Sequence, residues 1–245
     1  MSRRRMPLAV GWTLAVLAMV LFCSLGTWQW GRAKQKEAML AATRQVLDQR
    51  NPVPLAAAAD VARARDYDWA AGDGEFLAGP AVLLDNQTRE RRSGVRVYRV
   101  FRPAAGGTPL LVELGWLPLP GDRRLPAIAT PAGTQRVAGL LVPPPAGGIA
   151  GPGITPQPNG DLLVIGMQAE TLGEALALPV LAPRVLKLDP ALPLGYPRDL
   201  DILPNTLPPE RHVGYAVQWF ALALAMLVMA LVLTWHSRRK ARQGH

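Results

Sequence analysis

Arg211–Phe220, RHVGYAVQWF, is the stretch on which the fold turns. It closes a Pro-rich polar section and opens a run that carries no Asp, Glu, Lys or Arg until Arg238. A matching run lies at the other end of the chain, from Met6 to Gly31. Each is long enough to cross a hydrocarbon core of ~30 Å as a helix. Trp12 and Trp28 flank the first run, and Trp219 and Trp235 the second. At 1.5 Å per residue each pair lies ~24 Å apart, which sets one indole near either membrane interface. A cleaved signal peptide shares the basic start and apolar centre of the first run. No A-x-A site follows it, however, and the bulky Phe22 before Cys23 argues against lipoprotein cleavage, so an uncleaved anchor is expected.

The formal net charge of +9 is unevenly spread. Arg3, Arg4 and Arg5 begin the chain, and Arg238, Arg239, Lys240 and Arg242 end it. Without those seven cations the 27 Lys+Arg fall to 20, against 18 Asp+Glu, and the middle is near neutral. Basic tails beside apolar runs point to a membrane surface and away from nucleic acid. The positive-inside rule then predicts a basic cytoplasmic tail at 1–6, a first span at 7–30, an extracytoplasmic domain at 31–211, a second span at 212–235 and a basic cytoplasmic tail at 236–245. Arg32, Lys34 and Lys36 oppose this orientation, but long loops translocate largely regardless of charge. In a bacterium the middle would be periplasmic and the protein would sit in the inner (plasma) membrane as a multi-pass protein. The single cysteine lies in the first run, so no internal disulfide can form.

Between the runs, GRAKQKEAMLAATRQVLDQR reads as a continuation of the first helix, broken by Asn51–Pro54. LAAAADVARARD reads as a second short helix. From Asp66 the texture is that of strands. Glu75–Gln87 contains a Gly-Pro turn, and Val95–Trp116 reads as a hairpin around Ala104–Gly107. Gln135–Val142 is a further strand, and Pro143–Asn159 is too rich in Pro and Gly for a regular element. DLLVIG, AETLGEALAL and VLAPRVLKLD follow as strand, short helix and strand, and an extended Pro-rich lead covers Leu192–Pro209. The expected fold is two transmembrane α-helices, both termini inside, flanking one α+β domain with a barrel-like antiparallel sheet. The six arginines between Arg89 and Arg102 read as the solvated face and turn of a hairpin.

Several chemistries are missing. Between Arg32 and Arg211 there is neither His nor Cys, so no Ser-His-Asp or Cys-His nucleophile and no His/Cys zinc site can be assembled there. Nucleotide-binding glycine motifs are absent too. Carboxylates exist, but nothing in their spacing selects a pair.

The polar signal lies at the two membrane junctions. Trp28, Arg32 and Lys36 recur every four residues and form a stripe on one side of a helix. His212, Tyr215 and Trp219 stand at i, i+3 and i+7, within a ~60° arc at ~100° per residue. A ring-lined face with a potential axial nitrogen suits a flat, iron-bearing macrocycle, and a nearby Arg suits its propionates. An interfacial aromatic belt beneath a watery helix start accounts for the same residues.

Taken in order, these residues resemble the Surfeit locus protein 1 family, assembly factors for haem-copper cytochrome oxidase. Leu25, Gly26, Trp28, Gln29 and Arg32 match the family's signature leaving the first span. Gly115-Trp116-Leu117-Pro118 is similar to its Gly-Trp strand end. His212, Tyr215, Ala216, Trp219 and Phe220 match its entry to the second span, and Trp69 with Gly74-Glu75-Phe76 resembles its first strand region. Arg211 and Glu113-Leu114 depart from the asparagines common at the corresponding places. The resemblance implies a non-enzymatic assembly factor that assists haem a insertion or subunit I maturation at the outer membrane face. Its implied partners are oxidase subunit I, other assembly factors and the bilayer, with no nucleic acid. It implies His212 as metal ligand, and Tyr215, Trp219, Trp28 and Arg32 as further cofactor contacts to haem a. The alternatives are a cofactor-free docking protein for the nascent oxidase and a periplasmic carboxylate enzyme.

Overall fold

The computed structural model describes residues 8–121, 124–147, 153–203 and 207–243, the last four by backbone only. Arg3, Arg4 and Arg5, and the side chains of Lys240 and Arg242, lie outside the described residues. The chain divides into two compact units, Met1–Leu40 with Thr206–His245, and Ala41–Asn205.

The first unit is a pair of helices. Helix α1 covers Leu8–Gln49, 42 residues or ~63 Å. It contains no proline, and it stops where Arg50 turns to φ +45 just before Asn51-Pro52. The last helix, Pro209–Gln243, starts on a proline that needs no backbone donor and carries Glu210 in its first turn, where the helix dipole favours an anion. Between Trp12 and Lys36 of α1, a row of buried and half-buried positions runs through Trp12, Ala15, Met19, Phe22, Gly26, Gln29, Ala33 and Lys36, spaced alternately by three and four, with half-buried Ala18 and Leu25 beside it. On the partner helix the matching row is His212, Ala216, Trp219, Ala223, Met226, Ala230 and Thr234, with buried Pro209 and half-buried Val213 at its start. That is the heptad spacing of a helix–helix seam. Small residues on it allow close approach: a Cβ on Gly26 would stand 2.8 Å from the Phe220 ring. Trp12 Nε1 donates to Thr234 Oγ1 at 2.9 Å, tying the helices at the end away from His212.

Away from the seam the apolar side chains face outward; Leu17, Val20, Leu224 and Leu233 are each 60% exposed or more. A sheath of leucine and valine over two helices would be untenable in water, whereas a soluble core helix is mostly buried. Both are therefore candidate membrane-spanning helices.

Among the described residues the second unit is built on a nine-stranded mixed sheet. Its strands are β1 (Val53–Pro54), β2 (Asp68–Phe76), β3 (Val82–Arg89), β4 (Arg92–Pro103), β5 (Leu110–Pro118), β6 (Thr134–Val142), β7 (Ile154–Pro156), β8 (Leu162–Val164) and β9 (Val185–Leu188). A short helix α2 covers Ala169–Ala175, which makes Pro209–Gln243 α3. The strand order is β1-β2-β6-β9-β5-β4-β3-β8-β7, and β2 also pairs with β4 through Gly74–Phe76, so five of the pairings return on themselves. The Val95–Trp116 hairpin is present as β4–β5. An all-antiparallel sheet is not: β1–β2, β3–β8 and β5–β9 are parallel. The last two pairs join strands far apart in sequence, with long crossovers between them, and such connections permit parallel pairing.

Two further expectations are corrected. LAAAADVARARD forms two 3-10 turns, Leu55–Ala59 and Val61–Arg63, not an α-helix. Asp60 breaks it, with extended backbone and a side chain that accepts from Ala62 N, while Leu55 and Ala58 are drawn into the core. Within Pro143–Asn159, Ile154–Pro156 pairs with β8, although residues 148–152 lie outside the described residues.

The arginine run is the expected solvated hairpin turn only in part: Arg91, Arg92 and Arg102 are exposed and Arg89 half-buried, but the other two are not. Arg96 and Arg99 are 7% and 4% exposed. Strand β4 is covered on both sides, with Val95, Val97 and Phe101 in one apolar cluster and Tyr98 and Val100 in the other. Arg99 donates to the carbonyls of Gly79 and Ile128. Arg96 pairs with Glu113 at 2.5 Å, and Glu113 also accepts from Tyr98 Oη at 3.0 Å and lies 3.6 Å from Lys187 Nζ. Burial lowers the Lys187 pKa, with the Arg96 charge adding to the effect. This cluster holds the segment that leads toward α3: Lys187 donates to Asp201 O, and Arg89 and Arg96 reach Asp199. The same segment is pinned on β5. Trp116 N donates to Pro197 O and Tyr196 N to Leu114 O. Gly115 sits at φ +128, and a Cβ there would lie 2.5 Å from Tyr196 O.

Candidate functional site

The junction residues that drew attention in the sequence lie in the first unit. His212 is in the first turns of α3 and faces α1 because position 212 falls on the heptad seam. It is 8% exposed. Its Nδ1 stands 2.7 Å from Gln29 Oε1, and its Nε2 is buried with no hydrogen-bond partner among the described residues. An imidazole nitrogen left bare inside a protein costs about 1–3 kcal/mol, so its retention asks for a reason.

One and two turns further along α3, Ala216 is fully buried and Trp219 is half-buried. Trp219 stacks on Phe22 of α1, centroids 5.7 Å apart and planes 27° apart. Tyr215 lies on the rim, 38% exposed. Trp28 is 58% exposed, and Arg32 is exposed and donates to Gln35 Oε1 at 3.3 Å. Of the five expected site residues, His212 and Trp219 therefore line the seam, while Tyr215, Trp28 and Arg32 lie outside it.

Lys36 belongs to the seam as well. Its ammonium donates to the carbonyl of Leu207, just ahead of α3, and burial with the Arg32 charge lowers its pKa. Lys36 and Arg32 both act on the imidazole electrostatically. Gln29 and Phe22 were missed as partners of α3 residues; their three- and four-residue spacing from Gly26 is the signal that marks them.

No cluster of three His, Cys, Asp or Glu side chains that could hold a metal ion exists among the described residues. What the junction offers is one imidazole with an orphaned nitrogen and two cations. That donor set fits a macrocyclic iron, which brings its own four nitrogens and needs only an axial ligand and partners for its carboxylates. The buried nitrogen must be uncovered before anything can bind to it.

Residues 16–224 match the SURF1 family, a span that takes in both junctions and the whole sheet unit. A SURF1-like protein from Monosiga brevicollis is 27% identical over 239 residues, covering 91% of this chain and 86% of that protein. The chain belongs to the SURF1 family, known in general as cytochrome oxidase assembly factors.

Proposed function

We propose that the protein assists maturation of subunit I of a haem-copper cytochrome oxidase by holding haem a at the outer face of the inner (plasma) membrane. In this reading residues 7–30 and 212–235 span the bilayer with both basic tails in the cytoplasm, and residues 31–211 are periplasmic. The role is non-enzymatic; the partners are subunit I, other assembly factors and the surrounding lipid. The observation that carries the reading is the Nε2 of His212, buried and without a hydrogen-bond partner among the described residues. Bound there, haem a would supply an iron able to take one more nitrogen. Trp219 with Phe22 would offer a flat apolar wall, and Arg32 with Lys36 would meet carboxylates. The exposed rings of Tyr215 and Trp28 would cover the outer edge.

The test is an absorption spectrum of protein purified from cells that make haem a. A Soret band is expected for the native chain and should vanish in His212→Ala, while both proteins insert equally. A band of undiminished intensity in the variant would remove the ligand role. A cofactor-free docking protein is the second reading, favoured by the depth at which Nε2 is buried; it predicts no Soret band in either protein.

A further inference from the structure

We propose that Gln29 is a positioning residue for His212, one that sets which imidazole nitrogen is free. The inference rests on the ligand reading above and adds a residue and a physical task to it. A neutral imidazole carries one proton, on either Nδ1 or Nε2, and only the other nitrogen has a lone pair to give a metal. Gln29 Oε1, an acceptor, stands 2.7 Å from Nδ1. That contact holds the proton on Nδ1 and leaves Nε2 bare, the atom that lacks a partner among the described residues. Metal-bound histidines generally need such an outer acceptor, which fixes the tautomer and the ring plane.

The helix pair is built to deliver this contact across 183 residues of sequence. Gly26 lies one turn before Gln29 and Ala33 one turn after, both buried on the α1 side of the seam, and Ala216, one turn past His212, is buried on the α3 side. These small residues bring the backbones close enough for a glutamine, with its rotatable stem, to reach the ring. A neutral amide also suits the place. As an acceptor it orients the ring without pulling the proton away.

The experiment is 15N NMR of the side chain of His212 in the haem-free full chain in lipid nanodiscs. It is followed by resonance Raman of the iron–histidine stretch after reconstitution with haem a. Native protein should show the proton on Nδ1. Gln29→Leu should move the imidazole toward the Nε2–H tautomer, weaken haem binding on the order of 10–100-fold and lower the stretch. Gln29→Glu, which keeps an acceptor, should retain the Nδ1 proton and raise the stretch. A native imidazole protonated on Nε2 overturns the positioning role whatever the haem result. So does a Gln29→Leu chain with the native tautomer and the native stretch. If the tautomer is as expected but His212→Ala binds haem as tightly as the native chain, the ligand reading is what fails.

Discussion

Replacing Glu113 by Gln keeps the shape of the side chain and removes its charge. In the native sheet that carboxylate, 2% exposed, is 2.5 Å from Arg96 Nη1 and 3.6 Å from Lys187 Nζ. Without it two buried cations face each other. The nearest anion that remains is Asp199, 3.6 Å from Arg96 Nη2 and itself 40% exposed. Breaking a buried pair by removing one partner costs about 3–5 kcal/mol. A whole domain is stable by only about 5–15 kcal/mol, so the variant would be close to unfolding. The measurement is urea unfolding of the full chain in detergent, with hydrogen exchange read at β4, β5 and β9. Adding Lys187→Met should recover about 1–3 kcal/mol relative to the sum of the single changes, because it removes the orphaned ammonium. A loss under about 1 kcal/mol for Glu113→Gln, the value for an exposed pair, would refute the cluster as a buried network.

Other changes test the remaining claims. Arg198 donates to the carbonyls of Asp189, Leu192, Leu194 and Tyr196. Arg198→Ala should open residues 189–198 to limited proteolysis, and Arg198→Lys should not restore protection, since one ammonium cannot span the fork. Gly26→Leu should force the helices apart at Phe220; thiol crosslinking between cysteines placed at 29 and 212, in a chain lacking Cys23, should fall several-fold. Burial and then the Glu113 charge raise the Tyr98 pKa well above the ordinary phenol value. The folded state therefore holds that proton after the unfolded chain has lost it. Its stabilising effect is complete below pH ~10 and lost as pH climbs through the raised value. Tyr98→Phe should show a smaller stability loss above pH ~10, measured by urea midpoints. Lys187 works in the opposite sense: with its pKa lowered, stability rises with pH between that value and ~10.5.

Features that depend on local chemistry were legible in the chain alone. Two charge-free runs with paired tryptophans announced the long helices, Asn51-Pro52 announced where α1 ends, and Ala104–Gly107 announced the β4–β5 hairpin. Each is a matter of period, composition or a backbone restriction within a few residues. Contacts across sequence distance were not legible. Helical arithmetic grouped His212, Tyr215 and Trp219, but only the partner helix decided that the seam runs through 212, 216 and 219 and leaves Tyr215 on the rim. Arg96 looked like the wet side of a hairpin because alternation cannot show a second covering layer. The carboxylate that makes its burial tolerable comes from another strand, 17 residues on. The Gln29–His212 contact needs two helices brought together by Gly26, Ala33 and Ala216. Propensity and period act along the chain, whereas the partner of a buried polar group is chosen by packing between segments that have no sequence relation to one another.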